Sequence, residues 1–358
     1  MRFWPGVVVA TPAHSGVGGV LSYRSESPLT PGALVRVPLG SREVLGVVWD
    51  CPTEPPAALG ETLTKPVAGV LEGLPPLNER WRQLVKFAAQ YYQRSLGEVA
   101  LAALPPQLRE LDAVQLARRL KRREKKTSVS AATSGAALAP TVNGPELSAE
   151  QAAALQALHA ANEPVLLYGA TGSGKTEVYL RATQAVLEQA TPEGEAPTQV
   201  LVMVPEINLT PQLEARFRER FEPAFGAGSV VSLHSGMTPA QRLASWLAAH
   251  TGAARIVLGT RMAIFASLPG LRLIVVDEEH DPSYKSQEGA RYSARDLAVY
   301  RAKVETEALA SSGVAARCQV VLGSATPSLE SWHAAEQGRY QRLDMPGRIG
   351  GGALPRLR

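Results

Sequence analysis

The chain has 358 residues, 45% of them hydrophobic and 20% charged, with a formal net charge of +4, which gives room for two or three domains that each bury a core without disulfide or metal staples. No apolar run approaches the roughly 18 residues of a membrane span, and Met1-Arg2-Phe3-Trp4-Pro5 leads only to the short run Val7 to Ala10 rather than to a signal peptide, so a cytoplasmic protein is expected. The two cysteines, Cys51 and Cys318, lie far apart without a C-x-x-C pair; they suggest neither a disulfide framework nor a zinc ribbon, and both are expected to be buried small apolar residues.

Residues 1–110 begin as a small β-rich module, with β-branched runs at Val7 to Ala10, Ala33 to Val37 and Val44 to Trp49 separated by Gly and Pro. Helical spacing takes over from Asn78 to about Tyr92, where Trp81, Leu84, Val85, Ala88 and Tyr92 share one face. Residues 111–146 carry a block of seven cations, Arg118, Arg119, Lys121, Arg122, Arg123, Lys125 and Lys126, crowded into nine positions. Such a block suits a polyanion partner, or is the solvated end of a helix. From Thr127 to Pro145 there is almost no large apolar residue, which marks a linker and a domain boundary.

Residues 147–345 alternate apolar strands with amphipathic helices. Strands are expected at Val165 to Tyr168, Gln199 to Val204, Ser229 to Leu233, Arg255 to Leu258, Leu271 to Val276 and Cys318 to Leu322. Near-continuous Val/Ile/Leu strands in such alternation predict one parallel sheet covered on both faces, with ligands at the carboxyl ends of the strands. Residues 346–358 form a tail.

The first strand end carries Gly169-Ala170-Thr171-Gly172-Ser173-Gly174-Lys175-Thr176, followed by a helical stretch from Glu177 to Gln189. Strand, glycine loop and helix form the context of a phosphate-binding site. The glycines let backbone N–H groups face phosphate oxygens, Lys175 reaches the β/γ oxygens and the Thr176 hydroxyl ligates Mg²⁺. The fifth strand ends in Asp277-Glu278-Glu279-His280. Alone this is a solvated strand end; in the same sheet as a phosphate loop, Asp277 suits the Mg²⁺ shell and Glu278 suits a water-orienting role. Gly323-Ser324-Ala325-Thr326-Pro327 closes the sixth strand and, alone, reads as a Ser/Thr helix cap.

Taken together, Leu147-Ser148-Ala149-Glu150-Gln151, the phosphate loop with Glu177-Val178-Tyr179, Val204 to Gln212, Leu233-His234-Ser235-Gly236, Gly259-Thr260-Arg261, Asp277 to His280 and Gly323 to Thr326 resemble lobe 1 of superfamily 2 helicases. The strings Pro205 to Gln212 and Asp281 to Asp296 resemble more closely the PriA family of replication-restart helicases. The resemblance implies an α/β fold, a RecA-like parallel sheet behind a small β-rich DNA-binding domain. It implies ATP and Mg²⁺ as cofactors, with Gln151 on the adenine edge, Gly169, Thr171, Gly172, Ser173, Gly174, Lys175 and Thr176 around the phosphates, and Lys175, Asp277 and Glu278 as the catalytic set. Arg261, His280, Ser324 and Thr326 are implied to couple that site to DNA, and Tyr284, Lys285, Arg291 and Tyr292 match an aromatic-rich loop that senses single strands, where rings and cations suit base stacking.

Residues 1–110 resemble the family's domain for the 3′ end of a nascent strand, on Val35 to Gly40, Lys65-Pro66-Val67 and Tyr91 to Val99, with Gly40 and Lys65 as pocket residues. The chain departs from the pattern at Ala290, where the family has an aromatic, and at Leu21-Ser22-Tyr23, which replaces Phe-Asp-Tyr. The interval Arg109 to Glu146 is too short for the family's winged-helix domain, and the sequence stops near the expected start of a second lobe, so that lobe's arginine and its zinc insertion are not expected here. Forked or single-stranded DNA, single-stranded DNA-binding protein and replicative helicase-loading factors are the implied partners, with no membrane. Two readings follow: a 3′-to-5′ DNA helicase in replication restart, or a fork-binding scaffold that does not unwind. A metabolite kinase on the same loop accounts for neither Gly323 to Thr326 nor the tyrosine-rich segment.

Overall fold

The computed structural model describes residues 2–11, 19–54, 64–111, 115, 116, 118, 144–191, 195–314 and 316–349. The expected linker, most of the basic block and the tail beyond 349 lie outside these residues.

Alternating valines build the first sheet. Strands β1 (Gly6–Val9), β2 (Leu21–Ser22), β3 (Leu34–Leu39), β4 (Arg42–Asp50) and β5 (Gly69–Val70) pair antiparallel in the order β2-β1-β4-β3-β5. Val7, Val9, Val35, Val37 and Val48 face one small core, while Val8, Leu34, Leu45 and Val47 face another, the period-two pattern of a sheet covered on both sides. The two-residue turn between β3 and β4 places Gly40 at φ +62°, a left-handed conformation that a tight hairpin turn requires.

Helix α1 (Glu79–Tyr91) starts where Asn78 accepts the Trp81 N–H at 2.8 Å, a cap worth about 1 kcal/mol. As the spacing predicts, Trp81, Leu84, Val85 and Ala88 are buried. Helix α2 (Leu96–Ala102) follows, capped by Ser95.

The second sheet has seven parallel strands: β6 (Val165–Gly169), β7 (Gln199–Met203), β8 (Val230–Leu233), β9 (Ile256–Gly259), β10 (Leu271–Asp277), β11 (Gln319–Ser324) and β12 (Gln341–Met345), in the order β12-β6-β11-β10-β7-β9-β8. Its helices are α3 (Ala149–Ala160), α4 (Lys175–Leu187), α5 (Pro211–Phe225), α6 (Pro239–His250), α7 (Ala294–Ser311) and α8 (Leu329–Glu336). On β10, Leu273 and Val275 enter one core and Ile274 and Val276 the other, so the strand is apolar throughout because both faces are dry. The six expected strands are present within two residues of their predicted ends. The seventh, β12, was not anticipated and extends the sheet beyond β6. Cys318 is buried as expected, whereas Cys51, just past the end of β4, is only half-buried.

The two sheets share a core through α1. Its Trp81 indole donates to the Phe265 carbonyl at 2.8 Å, Arg80 reaches Glu305 at 2.9 Å and the Pro269 carbonyl at 2.7 Å, and Phe87 stacks on Tyr300 of α7. His250 joins them from α6: its Nε2 lies 2.8 Å from the Pro75 carbonyl, which can only accept, so that nitrogen carries the proton and Nδ1 accepts from Ser267. Among the described residues no helix is long and apolar enough to cross a membrane.

Candidate functional site

Strands β6, β11 and β10 are neighbours, so the three motifs read from the sequence meet at their carboxyl ends. Gly172 at φ +84° and Gly174 at φ +81° turn the chain out of β6 and into α4. A side chain at Gly174 would be strained at this φ and would have to displace the ends of Gln151 and Ile349, whose Nε2 and Cδ1 lie 2.3 and 2.4 Å from its Cβ position. Lys175 is buried, with Nζ donating to the Gly169 carbonyl at 2.9 Å and 4.0 Å from Glu278 Oε1. Within the loop Thr171 is exposed, Thr176 is half-buried, and the Ser173 hydroxyl is buried without a hydrogen-bond partner. A buried orphan hydroxyl between two left-handed glycines and a lysine is what a phosphate-binding cradle looks like before its anion arrives.

Gln151 is engaged at both ends of its amide. Oε1 accepts the Ser148 N–H at 2.8 Å in a capping box, and Nε2 donates to the Gly174 carbonyl at 3.2 Å. It therefore ties α3 to the phosphate loop. The segment after β12 also crosses this loop: Ala170 donates to the Met345 carbonyl, Ile349 to the Gly172 carbonyl at 3.0 Å, and Gly347 to Glu150 at 2.9 Å.

Asp277 ends β10 and accepts the Tyr179 hydroxyl at 2.9 Å. Burial pushes its carboxyl above the usual range; the Tyr179 hydrogen bond pulls back, the Glu278 charge pushes up again and Lys175 pulls back. Glu278 has φ +46°, a strained conformation of the kind that functional sites hold at a cost of about 1–3 kcal/mol. Its other oxygen lies 3.7 Å from His280 Nδ1, which is also 2.8 Å from Ser324 Oγ, while His280 Nε2 is 3.3 Å from Thr326 Oγ1. A continuous run of contacts thus leads from the phosphate loop to the end of β11.

The segment Asp281 to Asp296 lies beside that run. Lys285 is exposed, with Nζ 5.3 Å from the centre of the Tyr92 ring; Arg291 is exposed at φ +45°; Arg261 donates to the Ser283 carbonyl at 3.2 Å. Tyr292 packs edge-on against Phe265 at 4.9 Å, and burial pushes its phenol up to about 12. Tyr284 corrects the sequence reading: it is only 3% exposed and its hydroxyl donates to the Asp277 carbonyl at 2.6 Å. It offers no stacking face, and instead pins the acidic strand end from beneath.

A model of the DEAD/DEAH box helicase matches residues 148–334, over half of the chain. The chain belongs to the DEAD/DEAH box helicase family. The chain also matches a second model, the 3′DNA-binding domain (3′BD), over residues 6–105. It is 33% identical over 331 residues to the replication restart protein PriA of Rickettsia felis, covering 92% of this chain and 44% of that one. The figures for PriA of Treponema pallidum are 34% over 330 residues, 91% and 44%. The chain thus spans less than half the length of these relatives. Among solved structures it is similar to the DEAD-box helicase Mss116 bound to ssRNA and UDP-BeF, at 18% identity, 56% of this chain, 40% of that chain and a TM-score of 0.41.

In the amino-terminal domain, Lys65 Nζ donates to the Gly40 carbonyl at 3.3 Å, an exposed contact between residues 25 apart in sequence. Tyr23 is buried with its hydroxyl on the Pro38 carbonyl at 3.1 Å, and Leu21 and Ser22 sit half-buried in β2.

The sequence reading passed over Glu279. Its side chain is fully buried and accepts the Ser328 N–H at 2.7 Å, the Ser328 and Ser331 hydroxyls at 3.0 and 2.8 Å and Arg295 at 3.3 Å. It clamps the start of α8 to the end of β10. The only signal in the sequence was a third acid in a row, which says nothing of which acid turns inward.

Proposed function

We propose that this chain is a DNA-binding, ATP-binding protein of replication restart, acting at forked or single-stranded DNA as the amino-terminal part of PriA-like helicases does. The observation that carries the reading is the run Lys175–Glu278–His280–Ser324/Thr326, in a chain that also matches a 3′ DNA-binding domain. It gives a nucleotide site and a DNA-facing strand end a common set of contacts.

In this reading the loop N–H groups, the Ser173 hydroxyl and Lys175 would hold the phosphates, Thr176 and Asp277 would hold the Mg²⁺ that accompanies them, and Gln151 would take the adenine edge by turning its amide away from the Gly174 carbonyl. Bound Mg²⁺·ATP supplies an electrophilic phosphoryl group. Glu278, strained and anchored between Lys175 and His280, orients a water, and a DNA-driven shift of Ser324 or Thr326 reaches it through the His280 ring. Arg261, Lys285, Arg291 and Tyr292 line the approach for a single strand, with Gly40 and Lys65 at a 3′ end. Single-stranded DNA-binding protein and helicase-loading factors are its partners in the cytoplasm.

The test is ATP hydrolysis by the 358-residue chain with and without forked DNA, with Lys175→Ala as the blank. Turnover that rises with DNA and vanishes in the blank supports the helicase reading. Nucleotide and fork binding without turnover makes the chain a non-catalytic fork-binding scaffold, and loss of neither on Lys175→Ala refutes the site.

A further inference from the structure

One buried phenol joins all three motifs and has no assigned role. Tyr179 lies four residues after Lys175, on the same face of α4, and is 2% exposed. Its hydroxyl donates to Asp277 Oδ1 at 2.9 Å. It also presses on β11: a Cβ built on Gly323 would lie 1.6 Å from the Tyr179 hydroxyl and 2.8 Å from its Cζ. Gly323 sits opposite Asp277 in the strand register and directly precedes Ser324. Asp277 is thus held twice, through its carboxylate by Tyr179 and through its main-chain carbonyl by Tyr284 at 2.6 Å.

We propose that Tyr179 is a positioning residue that aims the Asp277 carboxylate at the nucleotide-borne cation, and that Gly323 is glycine because the Tyr179 hydroxyl occupies the space of its Cβ. The inference deepens the nucleotide reading above and rests on it. A carboxylate without the Tyr179 donor, buried and beside Glu278, is free to turn away from the loop. The same contact gives β11 a direct route to the metal ligand, because any advance of Gly323 toward α4 meets the phenol before anything else. A buried tyrosine commonly satisfies its hydroxyl for packing reasons alone, so the test reads metal dependence rather than stability.

The 358-residue chain is titrated with a fluorescent N-methylanthraniloyl ADP in EDTA and then with Mg²⁺ at fixed nucleotide, with urea unfolding of each variant alongside. Tyr179→Phe is expected to leave the EDTA affinity unchanged and to raise the Mg²⁺ concentration at half-effect about tenfold, the scale of one hydrogen bond to a charged group. Gly323→Ala is expected to raise it similarly while lowering the urea midpoint. Adding Tyr179→Phe to Gly323→Ala should recover part of the midpoint, since the ring carbon at 2.8 Å remains, but not the Mg²⁺ response. Asp277→Asn is the reference for full loss of that response. A wild-type Mg²⁺ midpoint in either folded single variant overturns the proposal, as does an equal loss of affinity in EDTA. A wild-type chain whose nucleotide binding ignores Mg²⁺ overturns the nucleotide-metal reading instead.

Discussion

Removing the Glu279 carboxylate should destabilise the helicase domain by about 3–5 kcal/mol, the range for breaking one side of a buried ion pair. The side chain is fully buried, and Glu279→Ala withdraws the acceptor from the Ser328 N–H, from two serine hydroxyls and from Arg295. Not all of these are orphaned equally. Arg295 keeps Asp296 at 2.8 Å and Glu330 at 3.8 Å, and the Ser328 hydroxyl keeps Ser331. The Ser328 N–H loses its 2.7 Å bond to Glu279, and one such buried group left unpaired costs about 1–3 kcal/mol. Glu279→Gln retains an oxygen for that N–H but turns an NH₂ toward Arg295 and Ser331, so it should cost about half as much as the alanine. Urea unfolding followed by fluorescence and by circular dichroism measures both, with the midpoint moving at constant slope. An alanine variant within about 1 kcal/mol of wild type would refute the reasoning, because ordinary surface changes already span that range. The loss should also fall on coupling, since α8 begins where the Ser324 to Thr326 segment ends: DNA stimulation should drop more than nucleotide affinity does.

Two further outcomes follow from the same contacts. Burial lowers His250 to about 4; the folded chain keeps the ring neutral while the unfolded chain takes up a proton below its ordinary value of 6.5, so this stability is full above that value and drains as pH falls toward 4. Wild type should therefore lose about 2 kcal/mol through this residue between pH 8 and pH 5, and His250→Gln should lose about that much less stability than wild type over the same range; an unchanged pH slope in the variant would count against it. Gly174→Ala places a side chain at φ +81° and within 2.3 Å of Gln151, so about 1–2 kcal/mol of left-handed strain must be relieved by moving the loop. The variant should stay folded but bind the fluorescent nucleotide at least about tenfold more weakly, and wild-type affinity would show that the loop geometry is not the binding geometry.

What was legible in the sequence is what chemistry restricts to few residue types. A loop that must turn its N–H groups inward needs glycine at positive φ, and Gly172 and Gly174 supply it; a parallel strand buried on both faces must be apolar until it ends, and Asp277 marks that end. The edge strand β12 was illegible for the opposite reason. Gln341-Arg342-Leu343-Asp344-Met345 buries only Leu343 and Met345, and its partner β6 already carried a neighbour on the other side, so nothing local distinguished it from the tail. The basic block and linker remain outside the described residues, apart from Arg118 and the last positions before α3.

The burial of Tyr284 and the inward turn of Glu279 escaped the sequence for one shared cause. An aromatic in a polar segment reads as a stacking face, and a third acid after a strand reads as solvated, as long as the chain is imagined running straight out of the sheet. Instead Glu278 takes a left-handed turn at φ +46°, which sends Glu279 back into the interior and lets the short 3₁₀ turn Pro282–Tyr284 fold beneath Asp277. The strained residue is the one on which both inward placements depend, and it is also the one bound to Lys175 on one side and His280 on the other. A conformation that costs energy and is held by the surrounding contacts is poised to change when they change. In the proposed reading, Glu278 is therefore the residue through which the phosphate loop and the end of β11 would be linked, with Tyr284 and Glu279 fixing the chain on either side of its left-handed turn.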